Sequence, residues 1–300
     1  MTIQESIESL VPAGAAWMEN GQSILSGPVL ELFQSLDRAF LRLASTWNAT
    51  EYRFPTFISA RELHRIDYFR SFPHLATFAV CLDPDDANLA AFADGEILDR
   101  SGGVALTEVR PVADVLTPAA CYHLYVHLQG SALDAPLYLT TRNTCFRKEE
   151  YYLPLQRQWS FSMREIVALG TIAEVRTFLD RTRGVVTAFL GELDLPVAWE
   201  TATDPFFRPA SNPKHLAQRL NPTKVEAVFD GSLAIASVNL HQDHFGATYG
   251  ITRDGTESYS GCVAFGLERW VYAILHQFGS DPDAWPEPEA AAAAAVRALT

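Results

Sequence analysis

The sequence predicts an α+β fold in which an antiparallel sheet is flanked by helices. Apolar residues recur at helical spacing over residues 29–47 and 173–193, which indicates two long amphipathic helices. Extended segments alternate with these helices, and residues 225–238 form a predicted hairpin around Asp230-Gly231, a dipeptide typical of tight turns. Because hairpins join neighbouring strands in opposite directions, these observations favour an antiparallel sheet with helices packed against it.

The other elements are predicted from local signals of the same kind. Ser59, with Glu62 three residues later, matches a capping box at the start of a short helix. Residues 118–130 fit either a helix or a strand, and the alanines of residues 290–295 favour a helix. Apolar runs and alternation predict strands at residues 76–82, 137–146, 158–170, 198–203 and 258–265, and helical periodicity predicts helices at residues 214–220 and 267–277.

The composition fits one large hydrophobic core. The chain has 300 residues, of which 48% are hydrophobic, enough for a single domain with insertions. No apolar run approaches the roughly 20 residues that span a bilayer, and the acidic, polar residues 1–10 do not resemble a signal peptide. We therefore expect a soluble, cytoplasmic protein that has no membrane partner.

The charge balance argues against a broad nucleic-acid surface. The chain carries 23 basic and 36 acidic residues, a net charge of −13, and its lysines and arginines are scattered. Proteins that bind nucleic acids usually cluster such residues to neutralise phosphates. An acidic protein can still bind an acidic partner through one local basic patch.

The four cysteines do not indicate a disulfide framework. They are widely spaced along the chain and include no CxxC pair. We expect Cys81 and Cys145 to be buried, reduced thiols, whereas Cys121 and Cys262 belong to a candidate site that is described below.

Two stretches that lie far apart carry side chains suited to a nucleotide site. The first, within residues 145–165, comprises CFRKE and, after a loop, WSFSMRE. Alternate residues of a strand share a face, so Arg147 points with Glu149, and Phe161 with Glu165. If the two strands pair, one surface carries a cation, two carboxylates and an aromatic ring. An arginine can neutralise phosphate charge and a ring can stack on adenine, although the same residues also fit an ordinary exposed strand.

The second stretch is GCVAFGLER at residues 261–269. A predicted strand leads into a turn at Gly266, and Arg269 follows in the first turn of a helix whose other face is apolar. A guanidinium at this position can meet a phosphate near the helix N-terminus. The alternative is an exposed arginine on a surface helix.

A metal site is suggested by placement rather than by spacing. Cys121, Glu165 and Cys262 are too far apart in sequence to form a metal motif. However, Glu165 ends the returning strand of the first stretch and Cys262 begins the strand of the second, so neighbouring strands would bring them together. Zn²⁺ accepts Cys and Glu ligands and can leave one position open for an amino group. His123 is a lower-ranked alternative ligand.

In their order and separation, the two stretches resemble motifs 2 and 3 of the class II aminoacyl-tRNA synthetases, which build an ATP site for aminoacyl-adenylate formation. With the Cys-Glu-Cys set, the chain is similar to the methanogen seryl-tRNA synthetases and their truncated bacterial homologues, the amino acid:[carrier protein] ligases. The resemblance implies an α+β, class II synthetase-like catalytic domain at residues 51–280 and a homodimer. An N-terminal helical extension would occupy residues 1–50, a carrier-docking insertion about 204–222, and a C-terminal tail 281–300.

The resemblance also implies roles for individual residues. Arg147 and Arg269 would act in catalysis, with ATP and Mg²⁺ as the nucleotide substrate. Cys121, Glu165 and Cys262 would hold one Zn²⁺, which binds the amino group of the substrate, so Glu165 also belongs to the amino-acid site. Seryl-tRNA synthetases carry an acidic residue just before the segment that contains Ser237 and Asn239. This residue is not evident here, because residues 233–236 read LAIA, so the ligands of Mg²⁺ are not predicted. The ATP contacts implied by position are Arg147, Glu149, Arg157, Phe161, Ser237, Asn239 and Arg269.

The partner implied by the resemblance is a small acidic carrier protein bearing phosphopantetheine. In the ligases it docks on a helix after motif 2, where we predict a basic patch in this chain. The short segment before the catalytic domain leads us to expect no tRNA partner. The residues of this predicted docking patch are Arg208, Lys214, His215 and Arg219.

The predicted function is therefore ATP-dependent activation of a small amino acid, glycine or alanine, and its transfer to the carrier thiol. Two alternatives stay open. One is an atypical seryl-tRNA synthetase-like enzyme that acts on tRNA. The other is a catalytically inactive paralogue that serves as a binding module.

Overall fold

The computed structural model describes residues 14–18 and 21–299. The strands in this part of the chain are β1 Ala15–Met18, β2 Gln22–Leu25, β3 Thr50–Tyr52, β4 Phe57–Ser59, β5 Thr77–Phe78, β6 Asp114–Leu116, β7 Ala132–Leu133, β8 Leu137–Phe146, β9 Ser160–Gly170, β10 Val197–Thr201, β11 Lys224–Phe229, β12 Leu233–Gln242, β13 Thr252–Arg253, β14 Thr256–Glu257 and β15 Tyr259–Gly266. The α-helices span Gly27–Ala44, Ala60–Arg65, Tyr68–Ser71, Asp86–Asp94, Tyr122–His127, Ile172–Glu192, Pro213–Leu220, His244–Tyr249, Leu267–Phe278 and Pro288–Leu299.

The largest sheet within the described residues has seven strands in the order β10-β11-β12-β15-β9-β8-β3. Its neighbouring strands are antiparallel, except that β3 runs parallel to β8. Smaller sheets are formed by β1-β2, by β4-β6-β5 and by β7-β13-β14. The predicted α+β class, with an antiparallel sheet flanked by helices, is confirmed.

Local signals in the sequence explain where several elements begin and end. The β11–β12 hairpin turns at Asp230 and Gly231, whose φ angles of 48° and 65° are left-handed, as the turn dipeptide predicts. The helix Ile172–Glu192 begins with a capping box, in which the Thr171 hydroxyl accepts the Glu174 N–H at 3.3 Å and the Glu174 carboxylate accepts the Thr171 N–H at 2.7 Å. These contacts satisfy N–H groups that the first helical turn cannot pair internally.

Two local predictions need correction. Ser59 does cap a helix, because its hydroxyl accepts the Arg61 N–H at 3.2 Å, but no reciprocal bond from Glu62 closes a capping box. The carboxylate of Glu62 pairs instead with Arg65 at 3.1 Å. The strand predicted at residues 76–82 is shorter in the structure, where β5 has two residues. It lies at the edge of a small sheet, in which its partner is β6.

The structure also decides two open points. Residues 118–130 contain the helix Tyr122–His127, so the helical alternative is confirmed. Cys145 is buried as predicted, whereas the prediction was wrong for Cys81, which is exposed beside the edge strand β5.

Helices cover one face of the main sheet and bury its aromatic core. The Phe40 ring stacks on Phe265 at 4.2 Å and meets Trp270 edge-on at 5.1 Å. Such aromatic pairs bury large areas and add about 0.5–1.5 kcal/mol beyond burial. The helices that contribute to this core are Gly27–Ala44, Ile172–Glu192, Leu267–Phe278 and Pro288–Leu299.

Strand alternation gives the main sheet a second, different face. Along β15, Val263 and Phe265 point into the aromatic core, whereas Cys262 and Ala264 belong to a smaller cluster on the opposite side. Short helices cover this second face only in part. The candidate site is built there.

Both segments that flank the predicted catalytic domain contribute to the aromatic core. The helix Gly27–Ala44 lies in the predicted extension, of which residues 1–13, 19 and 20 are outside the described part of the chain. The alanine-rich helix Pro288–Leu299 packs against that helix and against Ile172–Glu192. The division at residues 50 and 280 stays a prediction. Across residues 14–18 and 21–299, no helix is both long and apolar enough to cross a bilayer.

Candidate active site

A cavity of about 690 Å³ opens on the second face of the main sheet. Strands β8 and β9 pair over residues 137–146 and 160–169, which brings the two halves of the first stretch together, and β15 pairs with β9 to add the second. The cavity is lined by the predicted nucleotide and metal residues, namely Cys121, Arg147, Glu149, Arg157, Phe161, Glu165, Ser237, Asn239, Cys262 and Arg269.

One end of the cavity is cationic. The Arg147 Nε donates to the Pro118 carbonyl at 3.1 Å, and its guanidinium carbon lies 5.2 Å from the centre of the Phe161 ring. Arg269 is held by two backbone carbonyls, because its Nε donates to Gln156 and its Nη1 to Ala234, both at 2.8 Å. Backbone anchors fix the direction of each guanidinium before any ligand binds.

The electrostatics of this end favour an anion. Burial lowers the pKa of the Arg269 guanidinium, and the neighbouring cations Arg147 and Arg157 lower it further. Arg157 is partly neutralised by an ion pair with Glu149, whose Oε2 lies 2.6 Å from its Nη1. Three arginines that repel one another around one cavity would be stabilised by a polyphosphate.

The other end of the cavity contains the predicted metal residues. Glu165 is 2% exposed, and its Oε1 accepts the Ala120 N–H at 3.1 Å. Its Oε2 is buried without a hydrogen-bond partner in the described part of the chain. Burial raises the pKa of Glu165 to about 8, and the nearby Cys262 adds to this shift. A carboxylate in this setting would be stabilised by a cation.

The two cysteines at this end interact with each other. Contact with the Cys121 thiol lowers the pKa of Cys262, and His241 lowers it further. The Asn239 Nδ2 lies 3.4 Å from the Cys262 sulfur and 3.0 Å from the Ser237 hydroxyl. Within residues 14–18 and 21–299, no three His, Cys, Asp or Glu side chains are arranged so that they could hold a metal ion.

His123, the lower-ranked ligand, lies elsewhere. Its Nε2 bonds to the Phe57 carbonyl at 2.8 Å, and its ring stacks on Phe54 with centres 5.8 Å apart. It does not line the cavity. The histidine that the structure brings to Cys262 is His241, whose Nε2 lies 3.5 Å from the sulfur and whose Nδ1 bonds to Tyr125 and Ser260 at 3.0 and 3.2 Å.

Sequence reasoning missed His241, although a signal was present. His241 follows Ser237 and Asn239 at every second residue of β12, and alternate strand residues share a face. Asn239 lies opposite Cys262 in the β12–β15 pair. The period of two therefore indicated that a histidine would sit near the cysteine.

The predicted docking helix, Pro213–Leu220, reaches the cavity through a partly exposed ion pair. The Gln218 Nε2 donates to Asp204 Oδ2 at 3.0 Å, and Asp204 Oδ1 accepts from Lys224 Nζ at 3.0 Å. Lys224 also lies 3.1 Å from Glu226. Because these side chains line the cavity with Lys214, the helix forms part of its wall.

The four predicted docking residues have different surroundings. Arg208 and Arg219 are exposed, and the Arg208 guanidinium lies over the Phe207 ring at 4.9 Å. Lys214 is engaged by Asp67 at 2.7 Å. His215 is half-buried, and its ring meets Phe206 edge-on.

Comparison with known proteins places the chain among the ligases. It is 33% identical over 242 residues to amino acid–[acyl-carrier-protein] ligase 1 of Bradyrhizobium diazoefficiens, which covers 78% of this chain and 73% of that protein. Ligase 2 of the same organism is 32% identical over 248 residues, covering 80% and 73%. The chain belongs to the amino acid–[acyl-carrier-protein] ligase family. Its named relatives are ligase enzymes, and the predicted resemblance is confirmed. No family model matches the chain.

This member of the ligase family is also similar to the type-2 serine–tRNA ligase of Methanopyrus kandleri, at 26% identity over 294 residues, 89% of this chain and 55% of that protein. The solved structure of the M. kandleri synthetase with a tRNA superposes with a TM-score of 0.81 at 22% identity, covering 96% of this chain and 59% of that one. A serine–tRNA ligase of Naegleria fowleri, solved with AMP, gives a TM-score of 0.69 at 13% identity, with coverage of 96% and 59%. The class II synthetase fold is therefore confirmed.

Proposed function

We propose that the protein activates a small amino acid with ATP and transfers it to the phosphopantetheine thiol of a carrier protein. One observation carries this proposal. In a chain of the ligase family, a single cavity joins a three-arginine end to the Cys121, Glu165 and Cys262 end. A polyphosphate fits the first end and a cationic amino group fits the second, so ATP and an amino acid can meet between them.

The first step is adenylation. A carboxylate oxygen of the amino acid attacks the α-phosphorus of ATP, an O–P bond forms, and the bond to the pyrophosphate breaks. Arg147 and Arg269 stabilise the charge that develops on the phosphate oxygens, with Mg²⁺ supplied by the bound nucleotide. In the second step the pantetheine sulfur attacks the activated carbonyl, the thiol loses its proton, and AMP leaves as the thioester forms.

Zinc is part of this proposal. Cys and Glu are usual zinc ligands, and the unpartnered Oε2 of buried Glu165 suits a cation. The side chains of Cys121 and Cys262 now interact with each other. Together with Glu165 they would hold the ion if each sulfur bound the metal in place of the other sulfur. When bound, Zn²⁺ would supply a Lewis-acid site for the free amino group of the substrate.

The amino acid is proposed to be small, glycine or alanine. The tyrosine that follows Cys121 lines this end of the cavity together with Phe245. The Phe245 ring is stacked on Tyr125 with centres 3.8 Å apart and planes 2° apart, and Tyr125 is tied to His241. Close-packed aromatic rings move little, so they limit the room beside the cysteines.

The carrier is proposed to dock on the helix Pro213–Leu220. This helix exposes Leu216 and Leu220, at 56% and 72%, beside the exposed cations Arg208 and Arg219. Apolar side chains ringed by cations suit an acidic partner. The net charge of −13 supports a protein partner rather than tRNA.

A homodimer is proposed as well. Large apolar side chains between residues 57 and 112 are exposed, among them Phe57 at 53%, Phe78 at 50% and Leu98 at 54%. Exposed apolar patches often mark protein interfaces, so a second copy of this chain is proposed to cover these side chains. Light scattering would show a dimer, and charge substitution of Phe78 would be expected to weaken it.

The decisive experiment measures amino-acid-dependent ATP–pyrophosphate exchange with each standard amino acid on zinc-loaded protein. Exchange with glycine or alanine, followed by thioester formation on a phosphopantetheine carrier, is the expected result. Transfer to tRNA instead of the carrier would favour the synthetase-like alternative. No exchange with any amino acid, in protein shown to contain zinc, would favour an inactive binding module.

A further inference from the structure

Tyr68 has a buried hydroxyl group that the fold does not use. The residue begins the short helix Tyr68–Ser71 and is only 4% exposed. Among the described residues its hydroxyl oxygen has no hydrogen-bond partner. Buried hydroxyls in native proteins are nearly always hydrogen-bonded, so an exception points to a partner that binds during function.

The Tyr68 side chain lines the cavity and is close to residues of both ends. Its ring meets Tyr122 edge-on, with centres 6.2 Å apart, and Tyr122 directly follows Cys121 at the cysteine end. At the cationic end, Arg147 and Glu149 act electrostatically on the hydroxyl. All of these residues line the same cavity. The hydroxyl is therefore placed near the point where the carboxylate of an amino acid would meet an α-phosphate.

We propose that the Tyr68 hydroxyl donates a hydrogen bond to an anionic oxygen of the reacting carboxylate and α-phosphate. This inference rests on the function proposed above. The O–P bond forms and the pyrophosphate leaves as already described, and Tyr68 transfers no proton. Burial raises the pKa of Tyr68, which keeps the hydroxyl a donor at neutral pH. A donor aimed at developing negative charge lowers the barrier to the reaction.

The position of the ring does not depend on the hydroxyl. Phe72, at 5.4 Å between ring centres, and Tyr122 pack against it. The backbone carbonyl of Tyr68 accepts the Phe72 N–H at 2.7 Å. Replacement by phenylalanine therefore removes the donor and leaves the packing unchanged.

The test compares Tyr68→Phe with wild-type protein in ATP–pyrophosphate exchange and thermal unfolding. The expected result is a kcat lower by roughly 10- to 100-fold, with KM values little changed, because the bond forms mainly in the transition state. The Tm should stay the same or rise, since an unpartnered buried hydroxyl is removed. A residue with a merely structural role would lose stability instead.

The matched control is Tyr249→Phe. Tyr249 is equally buried, lies outside the cavity, and interacts electrostatically with Glu62 and Arg65. This variant should have a lower Tm and an unchanged kcat. If Tyr68→Phe keeps full wild-type activity, the inference is overturned. If its activity falls only because its Tm is lower, the inference is overturned as well. In both cases the proposed function stands. A wild-type protein without exchange overturns both.

Discussion

Both oxygens of the Glu268 carboxylate lie 2.9 Å from the backbone nitrogen of Ser162, whose N–H they accept. This contact joins the start of the helix Leu267–Phe278 to β9, and so joins the second stretch to the first. Arg269 is the next residue and reaches the cavity from this anchor. The two motifs are therefore held together by a direct bond as well as by the sheet.

The anchor predicts a pH dependence of stability. Burial raises the pKa of Glu268 from 4.5 to about 7. Between these values the folded protein binds more protons at Glu268 than the unfolded chain does, so its contribution to stability falls as the pH rises through this window. Above pH 7 the ionised, buried Glu268 lowers the free energy of unfolding by a constant amount, about 3 kcal/mol, relative to low pH.

Glu268→Gln keeps an acceptor for Ser162 and cannot ionise. We expect this variant to gain stability relative to wild type as the pH rises from 5 to 8, measured by urea unfolding. Parallel pH profiles for the two proteins would contradict the assignment.

Arg269→Lys should impair adenylation. Lysine cannot reproduce the two bonds to the Gln156 and Ala234 carbonyls. Its ammonium group is also a point charge, whereas a guanidinium is planar and has several N–H donors in fixed directions. We expect exchange to fall by about 100-fold or more, within the range for loss of one transition-state donor. Arg176→Lys, on the exposed side of the helix Ile172–Glu192, is the control and should keep wild-type exchange. Exchange within twofold of wild type for Arg269→Lys would argue against its role.

Cys262→Ala should lose bound zinc and adenylate formation together. The matched control is Cys145→Ala, because Cys145 is an equally buried cysteine that does not line the cavity. Metal analysis of both purified variants gives the zinc content, and exchange gives the activity. Normal exchange in a metal-free Cys262→Ala protein would remove zinc from the proposal.

Arg219→Glu should weaken carrier transfer and spare adenylation. The side chain is exposed on the last turn of the helix Pro213–Leu220, so its reversal repels an acidic carrier without disturbing the cavity. We expect the KM for the carrier to rise about 10-fold, as for a reversed charge at an interface rim. Arg176→Glu, on a different helix, should leave transfer unchanged. Equal loss of both half-reactions in Arg219→Glu would show that the residue does not act in docking.

Most elements could be predicted because their signals are local. The strand predicted at residues 137–146 matches β8, and the helix predicted at 173–193 differs from Ile172–Glu192 by one residue at each end. Periodicity, caps and turn dipeptides are set by neighbours in the chain. The strand at residues 76–82 was predicted too long because its length depends on which strand it pairs with in space.

The candidate site divides in the same way. The two motifs were predicted from residue types along the chain, and the Cys-Glu-Cys set from neighbouring strands and the family resemblance; the structure brings all of these residues to one cavity. His241 could have been found from the same alternation. Tyr68 and Glu268 could not, because their importance depends on contacts with residues distant in the chain.

The sequence by itself determined the fold class, the family resemblance and the residues that carry the motifs, because periodicity and residue chemistry are written along the chain. Only the tertiary structure decided that Lys214 is engaged by Asp67, that Asp204 joins the docking helix to Lys224, and that the Tyr68 hydroxyl is left without a partner in the described part of the chain. These facts depend on packing between distant segments, where burial and the direction of each side chain determine which polar groups meet.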